Sequence, residues 1–376
     1  MRHLLADFWM RLRGGLAGLW IFLPIGLIAV LIASYTWWWQ QVADGVRSIA
    51  GQFQLDQHAQ GREALWDDLD VSGFPYRVEA QFNAPRVTAP DRGFAWDGKT
   101  VVLDVQPLRP RHIALNFLGH QHFLYAKDGR LIEGGGDADK ALVNIVTGSN
   151  GTEELGIDIE ALSGQGDVDA RHIELVVQNA TATARVTDDN AAAALPQIDL
   201  AATLSNIALR GDVVLPLGPT INLLDLQARL KLPSTPAEAS GTTLIAAWRA
   251  TGTPVEIENF NLDWGGVTLA AHGELKLDSH ARPEGRLQLK IGNHRRLLEV
   301  LIAEGWVNAN AQKGIDAALN TLAFISGDPE RRVDVAVRFT EGDVFLEFFG
   351  LVPIRVGQVG PIFAPPQLSG EPGPTP

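Results

Sequence analysis

No residue between Gly14 and Ala43 carries a charge, and within that stretch Leu16 to Trp37 is almost wholly apolar. About 20 such residues suffice to cross the hydrocarbon core of a bilayer as a helix, so the run predicts a single transmembrane anchor over residues 1–39 with its cytoplasmic tip. Arg2, Arg11 and Arg13 precede it against one acid, Asp7. That balance predicts a cytoplasmic N-terminus and a chain whose bulk lies across the membrane. Trp37, Trp38 and Trp39 are the expected membrane-interface residues, where an aromatic cluster marks the exit from the bilayer. A cleaved signal peptide is the competing reading, but its apolar core would be about 7–15 residues and end in a small-x-small site. Here the run is longer and ends in Tyr35 and tryptophans.

Beyond the run, Val42, Val46, Ile49 and Phe53 recur at helical spacing, which predicts a helical spacer over 40–70. From Val71 the period changes to two. Val333, Val335, Val337 and Phe339 alternate with Asp334, Ala336 and Arg338, and a Glu341-Gly342-Asp343 turn leads into Val344, Leu346 and Phe348. That is a hairpin with one buried face. A second hairpin centres on Gly265-Gly266, and Leu287, Leu289 and Ile291 mark a further strand. Two amphipathic helices, His294 to Gly305 and Gly314 to Ile325, interrupt the C-terminal strands. The expected fold class is a single N-terminal transmembrane helix plus a mainly antiparallel β (α+β) extracytoplasmic body, a curved sheet with two or three flanking helices. Composition shifts suggest an N-terminal β-rich part over 71–195, a C-terminal β-rich part over 196–363 and a disordered tail over 364–376.

The formal charge of −13 argues against nucleic acid, which requires a basic surface. Cysteine is absent, which excludes disulfides, thiol catalysis and thiolate metal sites and suits a bacterial envelope protein large enough to bury its own core.

At Gly73-Phe74-Pro75-Tyr76-Arg77, after Leu69-Asp70-Val71-Ser72, and at Leu108-Arg109-Pro110-Arg111-His112-Ile113, the chain resembles a family of uncharacterised, membrane-anchored alphaproteobacterial envelope proteins. The C-terminal third, from Gly273-Glu274-Leu275-Lys276-Leu277-Asp278 through Arg282-Pro283-Glu284-Gly285 to the final hairpin, resembles the AsmA-like superfamily. That second resemblance implies a long curved sheet with a hydrophobic groove that guides lipids. It implies membrane lipid, and other envelope proteins, as partners.

Little in the chain points to chemistry. Gly148-Ser149-Asn150-Gly151 lacks nucleophile-elbow spacing and reads as a turn. His120 and His122 would share one face of a strand, but two imidazoles without a third ligand make no metal site, and no cofactor is expected. Gly134-Gly135-Gly136-Asp137-Ala138-Asp139 and Gly164-Gln165-Gly166-Asp167-Val168-Asp169 read as hairpin turns. Gly73 and Pro75 set backbone geometry, while Phe74 and Tyr76 pack on a sheet or meet a ligand. The candidate ligand-contacting or core apolar residues are Phe74, Tyr76, Trp264, Leu269, Phe345 and Phe348. The expectation is a non-enzymatic inner-membrane protein with a periplasmic body that binds lipid in an apolar sheet groove. The alternative is a closed-core structural or assembly factor acting through protein contacts, and a hydrolase is third. An open apolar concavity discriminates the first reading from the second.

Overall fold

The computed structural model describes residues 2–106, 108–127, 129–148, 151–187, 197–231, 248, 252–305, 307, 312–325, 332–347 and 354–358. One helix, α1 (Arg2–Ala59, 58 residues), leads into the β body. There follow β1 (Glu63–Leu65), β2 (Asp68–Ser72), β3 (Val78–Asn83), β4 (Arg86–Ala89), β5 (Phe94–Gln106) and β6 (Arg109–Lys127). Next come β7 (Arg130–Asp137), β8 (Lys140–Gly148), β9 (Gly151–Val168), β10 (Arg171–Thr187), β11 (Gln197–Gly211) and β12 (Thr220–Lys231). The last third holds β13 (Val255–Trp264), β14 (Val267–Leu277), β15 (Pro283–Gly292), α2 (His294–Ala303), α3 (Gln312–Ile325), β16 (Val333–Thr340), β17 (Asp343–Glu347) and β18 (Ile354–Gln358).

The transmembrane part of the expected fold class is corrected here. Among the residues whose side chains the structure describes, which begin at Pro24, no helix is long and apolar enough to cross a membrane. From Pro24 the unbroken apolar sequence ends by Ser34, and the same helix continues through Gln40, Gln41, Asp44 and Arg47. Of the aromatic residues after it, Tyr35 and Trp39 face the protein. The Tyr35 hydroxyl donates to the Pro75 carbonyl, and Trp39 Nε1 donates to the Arg77 carbonyl at 2.9 Å. Trp38 lies beside Tyr35, with ring centroids 5.7 Å apart, while Trp37 points to solvent at 64% exposure. The helix therefore docks on the start of the sheet, touching β1, β2 and β3.

The body is mainly antiparallel β, and its 18 described strands join in one sheet. Long β5 pairs with β4 along its first half and β3 along its second. Long β6 likewise pairs with β7 and β8, which both pair with β9. Among the described residues, the register from β10 to β18 pairs each strand with its sequence neighbours. The sheet runs without interruption from β10 into β11, so the two β-rich parts share it. Both predicted hairpins form. Trp264 faces Val267 across Gly265-Gly266, and Thr340 faces Asp343 across Glu341-Gly342. All four loop residues have φ between 53° and 86°, the positive values that two-residue hairpin loops require.

The glycines of the two segments lie in strands β7 and β9, and the expected turns fall only at the segment ends, at Ala138-Asp139 and from Asp169. Gly134 faces Gly166 and Gly136 faces Gly164 across β7 and β9. A Cβ at Gly136 would lie 2.5 Å from the Ser163 carbonyl oxygen. Here glycine permits close backbone approach, its other use inside strands. Asp68 and Asp70 are exposed strand residues of β2, and the helix expected to end beside them stops at Ala59.

Two turns generate predictions. Gly73 has φ +99°, and a Cβ there would lie 2.8 Å from the Arg77 carbonyl oxygen. Gly73→Val should cost about 1–3 kcal/mol, the scale of a strained backbone position, read as a lower urea midpoint at unchanged slope. At the β14–β15 turn, burial alone would raise the Asp278 carboxyl. Donation from the Arg282 and His280 backbone N–H groups and the Arg282 guanidinium outweighs it and holds the carboxyl below the usual range. A depressed carboxyl contributes stability above its unfolded value of about 3.9 and loses it as pH falls through the folded value. Asp278→Ala should therefore destabilise by about 1 kcal/mol at neutral pH, and the difference from the native chain should vanish in acid melts well below that unfolded value.

Candidate ligand-binding face

Directly opposed residues in antiparallel strands point to the same face of a sheet, so the pairing register can be followed strand by strand. Starting at β3, the partners run Ala80, Leu103, Leu115, Val143, Ile157 and Ala182. They continue as Ala202, Leu226, Phe260, Ala271, Leu289 and Val335 on β16. All twelve are apolar, on twelve successive strands. A parallel row from Val78 through Val105, Ile113, Ile145, Leu155, Ala184, Leu200, Ala228 and Ile257 reaches Gly273, Leu287, Val337 and Leu346, again without a polar side chain. At an interstrand spacing of about 4.8 Å the first row is on the order of 50 Å long.

The opposite face is polar and internally paired. Arg229 bridges Asp199 and Glu258, Asp225 accepts from Thr203 and Asn259, and Glu347 binds Arg286 and Arg338. The two faces are therefore chemically opposite. The sheet also preserves this sorting through a change of phase. In β9 and β11, Ala161 and Asn206 take φ of 52° and 50°, flanking Gln178 of β10. On one side of that line the less exposed residues of β10 are Ala180, Ala182, Ala184 and Val186; on the other they are Ile173, Leu175 and Val177, so the sheltered parity changes across Gln178.

The apolar face is covered at its two ends and open between them. At the β3 end Val78 and Ala80 are fully buried beneath α1, which buries Ala43 and Ala50. In the middle strands the row is half-exposed, with Leu155 and Ile157 at 38% and 37%. At the far end α2 and α3 lie over β14 to β17, where Leu298, Ile315 and Leu319 join Ile291, Val333 and Val335 in the main core. Between these helices and the sheet remains a cavity of about 220 Å³, walled by apolar side chains of α2, α3, β15, β16 and β17 and by His294. His294 is 8% exposed, and among the described residues neither ring nitrogen has a partner. An unsatisfied buried polar atom costs about 1–3 kcal/mol, so the imidazole is an exception to the saturation expected of buried polar groups.

The residues singled out from sequence fall in different places. Leu269 lies on the apolar face and packs against the core under α2. Trp264 pairs with Ile221 and Val267 at the end of the same face, its Nε1 donating to the Gly218 carbonyl at 2.8 Å. Phe345 faces the polar side, beneath the Arg338 guanidinium at 4.8 Å. Phe348 lies outside the described residues. Phe74 packs on the Tyr35 and Trp39 rings, so it belongs to the docking of α1, and Tyr76 is 87% exposed. His120 and His122 pair with Asp137 and Asp97, and among the described residues no group of three or more metal-ligating side chains comes together. Sequence reading missed His294, because one histidine opening an amphipathic helix carries no signal until the cavity beside it is seen.

No curated protein and no solved structure matches the chain. A family model does match, over residues 37–358, from the docked tryptophans to the last strand. The chain belongs to that family, described as an uncharacterized protein conserved in bacteria (DUF2125).

Proposed function

We propose that this protein is a non-catalytic carrier that holds the acyl chain of a membrane lipid along the apolar face of its sheet, and that it works in the bacterial cell envelope. The observation that carries this reading is the unbroken apolar row across twelve strands, half-exposed in the middle. Isolated exposed apolar residues need no explanation, but a contiguous strip marks a binding surface. The resemblance of the segment from Gly273 to Leu346 to the AsmA-like superfamily supports the same function. A closed-core assembly factor acting through other envelope proteins is the second reading, favoured by the helices that cover both ends of the row.

The energetics set a testable signature. Each buried methylene contributes about 0.8 kcal/mol, whereas association costs about 4–15 kcal/mol. Short chains therefore cannot repay the cost, and each added methylene should tighten binding about fourfold. Calorimetric titration of the full chain with octanoate, decanoate, dodecanoate and tetradecanoate reads this slope. Ile157→Asp changes a side chain that is already half-exposed, so the fold should survive while the charge removes binding by at least about tenfold. A folded chain that binds none of the series would favour the closed-core reading.

A further inference from the structure

Among the described residues, the cavity at the α2–α3 end of the row has one polar group, His294, and both of its ring nitrogens are without a partner. The position is fixed. His294 is the first residue of α2, and Asn293 before it holds a left-handed φ of 54° while donating through Nδ2 to the Gly266 carbonyl at 3.1 Å. The β13–β14 hairpin thus fixes where the imidazole enters the apolar wall. Leu297, Leu301, Val335, Val337 and Leu346 are among the side chains that line the same cavity. At about 30 Å³ for a water-sized group, 220 Å³ admits about seven such groups.

Resting on the carrier reading, we infer that this cavity takes the carboxyl end of a single-chain fatty acid, with the carboxyl hydrogen-bonded to His294. Imidazole offers one donor and one acceptor when neutral. A carboxylic acid can donate to the bare ring nitrogen or accept from the N–H, one nitrogen at a time, and the two share a single acidic proton. The pair therefore enters the apolar cavity without net charge, whichever partner holds the proton. A quaternary ammonium head has no such balance and would leave an uncompensated charge among leucines and valines. The remainder of the chain extends from the cavity onto the open row. No covalent step is involved.

The test compares dodecanoic acid with its methyl ester, which keeps the chain and one acceptor but loses the acidic proton. The native full chain should bind the acid at least about tenfold more tightly than the ester. His294→Leu should abolish that preference while leaving ester binding within about twofold, and His294→Gln, which restores a donor and an acceptor, should recover part of it. Thermal unfolding of each variant separates a lost head-group contact from a lost fold. In nitrogen-15 spectra of histidine-labelled protein, the ring signal absent from His294→Gln should shift with the acid and stay in place with the ester. Equal binding of acid and ester by the native chain would overturn the His294 assignment and leave the carrier reading standing. A folded His294→Leu chain that weakens both ligands equally would overturn it as well, showing a packing role. If neither ligand binds, the carrier reading fails and this inference fails with it.

Discussion

Backbone hydrogen bonds tie each strand to the next in a single register, and because side chains alternate with every residue, a slip by one would send a strand's apolar set to the polar face. Every larger feature of the molecule follows from that constraint. The twelve-residue row exists because pairing from Ala80 to Val335 is in phase on every strand it crosses. Where β9, β10 and β11 change phase, Ala161 and Asn206 take left-handed backbone angles at the same level of the sheet, so the change is shared and the sorting persists. The ion-paired side supports the same register, since Arg229 and Asp225 each reach partners on neighbouring strands.

A sheet sorted this way must still cover its apolar face, and this one does so with helices at the two ends. α1 packs its small residues Ala43 and Ala50 at the β3 end, where Val78 and Ala80 lie fully buried. α2 and α3 sit at the other end, on a loop between β15 and β16 that the sheet itself passes over, since those strands pair directly. The one large core cluster lies at the α2–α3 end, and the central strands bury Val177, Ile207 and Ala228 while Leu155 and Ile157 on β9 stay half-exposed.

Local alternation and turn chemistry were legible in the sequence. The hairpins at Gly265-Gly266 and Glu341-Gly342 could be read from glycine flanked by period-two strands, and the two C-terminal helices from their leucine spacing. What failed was whatever depended on a partner. Gly134 to Gly136 looks like a turn until Gly164 and Gly166 are brought opposite, when the same residues become the condition for close approach. Trp39 looks like a bilayer anchor until the loop at Phe74 and Arg77 supplies its ring and carbonyl partners. The apolar row could not be read at all, because alternation shows that each strand has two faces but not which residue of the next strand stands opposite. His294 was invisible for the same reason.

Among the described residues, each strand from β10 onward bonds to its sequence neighbours, and this bears on how such a chain can change in length. Removing or adding a complete hairpin leaves the strands on either side antiparallel and in phase, so the apolar row shortens or lengthens while keeping its character. A single inserted residue inside a strand would invert everything beyond it unless its neighbours shifted too. Evolution in this half of the molecule is therefore quantised. The span of the surface is set by the number of hairpins, and its chemistry by the side chains they carry.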